Sequence, residues 1–96
     1  MEVIVYYFAG HRDIAGRSEE RFALAEGATV GTLWELLIVR YPRLRGYSGK
    51  LLYAVNQEFG ALATELHDGD KVAFIPPVSG GTDFLFTIYI LEGGDG

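Results

Sequence analysis

The sequence predicts an α+β domain in which one helix packs across a mixed sheet of four or five strands. Three observations carry that expectation. Residues 28–41 place apolar side chains three and four apart, the helical period, and the segments on either side are rich in β-branched and aromatic residues. The third is size: 96 residues, 49% of them hydrophobic, supply one core and leave no room for a second domain.

Residues 2–9 (E-V-I-V-Y-Y-F-A) read as a well-buried first strand that ends at Gly10. His11 to Gly16 is a short polar connection with room for one helical turn. Alternation then returns from Ser18 to Leu24, with Phe22 and Leu24 on one side, so the two strands form a hairpin. Glu26-Gly27 turns the chain into the helix, whose apolar stripe is Val30, Leu33, Trp34, Leu37, Ile38 and Tyr41. Thr29 is the expected N-cap, and Thr32 with Glu35 also has capping-box spacing. Pro42 stops the helix, because its ring clashes with the preceding turn and it has no N–H to donate.

Arg43 to Gly49 reads as a loop, and Leu51 to Asn56 as a strand that turns at Asn56-Gln57-Glu58. Residues 59–66 form a crossing segment in which Leu62 and Leu66 are expected to pin the chain to the core. Asp68-Gly69-Asp70 is a tight-turn signature leading into the last core strand, Lys71 to Ile75. Strand, strand, helix, strand, strand over one sheet is the β-grasp arrangement in outline.

Composition excludes several function classes. A net charge of −5 argues against a nucleic-acid backbone, which needs clustered Lys and Arg. With no cysteine there is no disulfide, thiolate nucleophile or thiolate metal site. No apolar run approaches the roughly 20 residues that span a bilayer, and the first residues lack the basic start of a signal peptide, so no membrane partner and a cytoplasmic location are expected. His11 and His67 lie far apart without ligand-type neighbours, so no metal and no bound cofactor are expected. His11-Arg12-Asp13 spells a kinase catalytic-loop triplet, but the other parts of that mechanism are missing. Asp68 and Asp70 read as turn-formers, not calcium ligands.

The chemistry-bearing stretch is Phe74 to Gly81, F-I-P-P-V-S-G-G. Pro76 and Pro77 stiffen the backbone as it leaves the sheet. Val78 and Ser79 add modest bulk, and Gly80-Gly81 is bare backbone that fits a channel too narrow for a Cβ. Such a tail has the shape of a substrate, not of a catalyst.

Phe8-Ala9, the run G-K-L-L-x-A-V-N-Q from Gly49 to Gln57, Asp68-Gly69-Asp70, and V-A-F-x-P-P-V-S-G-G from Val72 to Gly81 together resemble the small subunit of molybdopterin synthase, the MoaD-type sulfur carrier of the MoaD/ThiS group. The resemblance covers residues 1–81. It implies a ubiquitin-like β-grasp domain over 1–81 and a role in molybdenum cofactor biosynthesis. The Gly81 carboxylate would be adenylated by an E1-like adenylyltransferase (MoeB-like) using ATP and converted to a thiocarboxylate. The large subunit (MoaE-like) would then use the sulfur on cyclic pyranopterin monophosphate.

On this resemblance Gly81 carries the reacting carbon and Gly80 gives clearance, while catalytic side chains belong to the partner enzymes. Phe8, Phe59 and Ile75 match the family's apolar docking patch, with Ile75 in place of the aromatic residue common in relatives. For each of the three, simple core burial is the alternative. Arg12 and Lys50 match basic positions beside the tail, with a solvated surface charge as their alternative. Pro76, Pro77, Val78 and Ser79 complete the partner-binding stretch.

The departure lies beyond Gly81. The chain continues through residues 82–96, in which 84–91 (F-L-F-T-I-Y-I-L) is strand-forming and apolar on both faces, and Asp83, Glu92 and Asp95 are unaccompanied by any cation. Three explanations stay open at this level. A processing peptidase removes the extension; the extension begins a fusion with the large subunit; or the chain is a β-grasp binding module that is not thiocarboxylated and assembles through the extra strand. Service to another thiolation pathway is a further alternative.

Overall fold

The structure, a computed structural model, describes residues 1–76. Strand β1 (Glu2–Tyr7) alternates so that Val3, Val5 and Tyr7 point inward and are almost fully buried. It pairs antiparallel with β2 (Glu19–Ala23), from Glu2 opposite Ala23 to Tyr6 opposite Glu19. Between them the polar connection is a six-residue helix, α1 (Gly10–Ala15), closed by Gly16 at φ 75°, a left-handed conformation that favours glycine.

The main helix, α2 (Val30–Arg40), starts at Thr29 as expected. The capping box closes on Thr32 and does not use Glu35: Thr29 Oγ1 accepts from the Thr32 N–H at 3.2 Å, and the Thr29 N–H donates to Thr32 Oγ1 at 3.2 Å. Eleven residues are too few for a stable isolated helix, so α2 depends on its buried face. That face is Val30, Leu33, Trp34, Leu37 and Ile38, packed with Val5, Tyr7, Leu66, Val72 and Phe74. Full burial of a side chain such as Leu33 contributes about 1.5–3 kcal/mol.

Two expectations are corrected after the helix. The segment read as a loop is a 3₁₀ helix over Pro42–Tyr47, with Pro42 in its first turn and Leu44 fully buried. Proline ends α2 and starts the next helix, because its fixed φ suits a first helical position. Leu62, expected to pin the crossing segment, is 49% exposed. The pinning is done by backbone: the Val30 N–H donates to Thr64 O, the Gly31 N–H to Leu62 O and the Leu66 N–H to Ala28 O, each at 2.9 Å. The first amides of α2 are thereby satisfied, and Leu62 is left facing outward. Leu66 is buried, as expected.

Strand β3 (Leu52–Val55) and the two-residue β4 (Glu58–Phe59) form a hairpin whose turn is Asn56 and Gln57, at φ 50° and 77°. Glu58, expected in the turn, opens β4. The central strand is β5 (Lys71–Ile75), parallel to β1 and antiparallel to β3. The sheet order is therefore β2-β1-β5-β3-β4. A parallel β1–β5 pair requires a long crossover, which α2 supplies on one face. The five-stranded mixed sheet on one main helix is the predicted architecture.

Candidate functional site

Strand β5 delivers the chain to Pro76, the last described residue, which is buried. Three interactions fix β5 in place. His11 is fully buried, and its Nδ1–H donates to Phe74 O at 3.0 Å. That bond assigns the proton of the neutral ring to Nδ1, since a carbonyl only accepts. Burial pulls the His11 pKa below its ordinary value, partly offset by the bond to Phe74. Trp34 stacks on Phe74 at 5.2 Å between centroids, and Tyr53 meets Phe74 edge-on at 5.9 Å.

The start of β5 is held by polar side chains. Asn56 Nδ2 donates to Asp70 Oδ1 at 2.7 Å, the Lys71 N–H donates to Asn56 Oδ1 at 3.0 Å, and the His67 N–H donates to Asp70 Oδ2 at 2.7 Å. On the other side of the sheet centre, buried Glu20 accepts from the Tyr7 hydroxyl at 2.9 Å and the Tyr41 hydroxyl at 2.8 Å, and pairs with Arg40 at 2.6 Å. This ties β2 to β1 and to the end of α2. Burial, with the bond to Glu20, raises the Tyr7 pKa above its ordinary value.

The predicted partner-binding residues separate into two groups. Pro77, Val78, Ser79, Gly80 and Gly81 lie outside the described residues, as do the expected domain boundary at residue 81 and the extra strand. Phe8, Phe59 and Ile75 lie on one surface, the sheet face opposite α2. Phe8 packs against the cluster of Ala54, Ala73 and Ile75. Phe59 stands opposite Ala54, and Leu52 opposite Ile75, and cross-strand partners share a face. Of these, Phe59 is 60% exposed and Leu52 47%, while Ile75 is packed within the cluster at 1%.

Arg12 is exposed and lines a cleft of about 480 Å³ together with Phe8, Tyr6, Lys71 and Ala73. Lys50 is also exposed, and its backbone N–H donates to Tyr47 O at 2.8 Å. It is not among the residues of that cleft. Sequence reading missed Tyr6, Leu52, Ala54 and Ala73. A period of two counted back from Phe8 and Ile75 would have found Tyr6 and Ala73, whereas Leu52 and Ala54 follow only from the register.

The arrangement offers a partner an apolar face flanked by cations, next to Pro76, where strand β5 has ended. No three His, Asp or Glu gather at metal spacing among the described residues, and no helix among them is long and apolar enough to cross a membrane.

Known proteins share this layout. The molybdopterin synthase sulfur carrier subunit of Mycobacterium tuberculosis is 42% identical over 82 residues, covering 84% of this chain and 99% of the relative. The crystal structure of SAMP1 from Haloferax volcanii superposes with a TM-score of 0.75 at 29% identity, covering 84% of this chain and 100% of that one. A complex of subunits 1 and 2 of the molybdopterin-converting factor from Helicobacter pylori contains a chain that superposes with a TM-score of 0.61 at 26% identity, covering 84% and 100%. The ThiS family model matches residues 5–81, from the middle of β1 through the second glycine of the tail, and on that match the chain belongs to the ThiS family.

Proposed function

We propose that this chain is the sulfur-carrying small subunit of a molybdopterin synthase and that Gly81, once its carboxylate is free, is the group that carries sulfur. The observation that supports this most is where the family match stops, at residue 81, the second glycine of the tail. The identity to a named sulfur carrier subunit over 84% of the chain supports the same pathway. The Helicobacter pylori complex supports a large-subunit partner.

The chemistry follows from the tail. A carboxylate is a poor electrophile, so its oxygen first attacks the α-phosphate of ATP in an E1-like enzyme, releasing pyrophosphate and leaving an acyl adenylate. Sulfur at the sulfide level (hydrosulfide) then attacks the acyl carbon, forming the C–S bond and expelling AMP, which leaves that sulfur on the carbon as the thiocarboxylate. The resulting thiocarboxylate is anionic at neutral pH and soft, so it attacks without a base of its own. Gly80 and Gly81 let the backbone enter a narrow channel, and the sheet face opposite α2, with Phe8, Leu52 and Phe59, supplies the grip. A peptidase that trims residues 82–96 completes the scheme.

A second reading is favoured by one observation: residues 82–96 follow Gly81 in the same chain, and they block its carboxylate. In that reading the protein is a β-grasp binding module. Intact-mass spectrometry of protein purified from its own cell separates the two. A species ending at Gly81 that exchanges one oxygen for sulfur on incubation with ATP, the E1-like enzyme and a sulfur donor is the expected result. A population consisting only of untrimmed, unreactive chain refutes the carrier reading.

A further inference from the structure

Two large apolar side chains stand exposed together on the main helix: Leu36, at 41%, and Val39, at 78%, three residues apart on α2. They line a groove of about 650 Å³ whose other wall is the end of β2 and the turn that follows it, Leu24 included. The charged residues of this groove are Glu26 and Glu35, and neither is in an ion pair among the described residues. The cations closest to them in sequence, Arg21 and Arg40, are committed elsewhere, to Glu2 and to Glu20. The groove is therefore apolar in its walls and acidic in its field.

The same groove borders an open strand edge. β2 is an outer strand of the sheet. The Tyr7 N–H donates to Ser18 O at 2.9 Å and the Leu24 N–H to Met1 O at 2.7 Å, which turns the even-numbered backbone groups of β2 toward β1. The N–H and C=O groups of Glu19, Arg21 and Ala23 point the other way, out of the sheet, and have no hydrogen-bond partner among the described residues. Such a row is a template for one more strand.

We propose that this groove is a second docking site, and that its occupant is an extended segment of a partner protein, apolar at alternate positions and carrying Lys or Arg, which pairs with the free edge of β2. The backbone of β2 supplies the hydrogen bonds, and every second side chain of the added strand falls on the helix side of the sheet, where Leu36 and Val39 receive it. Glu26 and Glu35 select a basic segment over an acidic one. A second copy of this chain does not satisfy that chemistry, because two-fold pairing sets the acidic groove against its own image in a chain of net charge −5. The groove lies on the helix side of the sheet, whereas Phe8, Leu52 and Phe59 lie on the other, so both surfaces can be occupied at once. The proposal stands whether or not Gly81 carries sulfur.

Random nine-residue peptides displayed on phage and selected on the full-length protein test the site. Peptides with alternating apolar residues and at least one Lys or Arg are the expected enrichment. Binding of the enriched peptide, made synthetically and followed by fluorescence anisotropy, is expected to weaken about tenfold with Val39→Asn and about fivefold with Glu35→Lys, and to stay unchanged with Leu52→Asp on the opposite face. Val39 is so exposed that its replacement leaves the fold intact, which the thermal midpoint checks. Bound peptide is also expected to slow hydrogen exchange at the Arg21 and Ala23 amides by about tenfold or more, a readout that surface stickiness alone does not move. Failure to enrich such peptides, equal binding to Val39→Asn, or unchanged exchange at Arg21 and Ala23 overturns the proposal. So does protection of those amides in the protein alone that grows with its concentration, which marks a second copy as the occupant.

Discussion

Asn56 and Asp70 are fourteen residues apart and joined by a 2.7 Å hydrogen bond that locks the β3–β4 turn to the start of the central strand. The same Asn56 also accepts from the Lys71 N–H, and its own N–H donates to Lys71 O at 2.8 Å. One side chain therefore serves two purposes: it tolerates φ 50° in the turn and it sets where β5 begins. Replacement separates the two. Asn56→Ala loses both and is expected to cost about 2–3 kcal/mol, from a strained left-handed residue plus two side-chain hydrogen bonds. Asn56→Gly keeps the conformation and costs about 1 kcal/mol less. Urea denaturation of the two variants checks the order.

Gln57 sits at φ 77°, where a side chain is strained and glycine is not. Two-residue hairpin loops of this kind favour Asn-Gly. Gln57→Gly is expected to stabilise the protein by roughly 0.5 kcal/mol, the relief of a left-handed residue less the extra freedom of glycine in the unfolded chain. A lowered denaturation midpoint contradicts this.

Glu20 is the shared acceptor for Tyr7, Tyr41 and Arg40. Glu20→Ala leaves the Tyr7 hydroxyl buried without its partner and is expected to cost about 2–4 kcal/mol, most of it from stranded polar groups and not from the half-exposed Arg40 pair. In the double variant with Tyr7→Phe much of that loss is recovered. A double-mutant cycle with no coupling would show that the network carries little.

His11 predicts a pH dependence with a defined sign. Its folded pKa lies below the unfolded value of about 6.5, so the unfolded chain binds the proton more readily. The His11 contribution is fully present above about pH 6.5 and is lost as pH falls toward the folded pKa, with a slope of at most about 1.4 kcal/mol per pH unit. Denaturation curves between pH 7 and 5 are expected to show this loss in the wild type and its absence in His11→Phe. The same slope in both proteins removes His11 as the cause.

Two substitutions probe the proposed carrier role in the form ending at Gly81. Leu52→Asp, at a half-exposed position on the sheet face opposite α2, is expected to weaken large-subunit binding by about 1–2 kcal/mol by calorimetry, with little loss of stability. Gly81→Ala is expected to abolish sulfur transfer while leaving the thermal midpoint unchanged, because on the carrier reading the added methyl group blocks entry into the partner enzyme's narrow channel. Retained transfer refutes the narrow-channel argument.

Much of the fold was legible because it is written in local periods. The stripe from Val30 to Ile38, the run of β-branched and aromatic residues in 2–7 and the alternation in 18–24 name their elements directly. The 3₁₀ helix was hidden because Leu44 lies between two arginines, the second followed by Gly46, which reads as loop although Leu44 is fully buried. Leu62 misled for the opposite reason: its backbone carbonyl, not its side chain, does the anchoring. The face opposite α2 was half legible. Phe8, Phe59 and Ile75 were named by resemblance, but Ala54 and Leu52 join them through a register set between strands distant in sequence, and no local pattern encodes that.

The position of β5 governs when this domain can exist at all. Before residue 71 has been synthesised, the available strand pairs are the β1–β2 and β3–β4 hairpins, each marginal alone. Both become one sheet only when β5 inserts between β1 and β3, a pairing that joins the two ends of the domain and is correspondingly late. On the ribosome, the sheet is thus completed last, by the strand that directly precedes Pro76. A nascent chain that stops short of β5 has no single sheet for a partner to recognise.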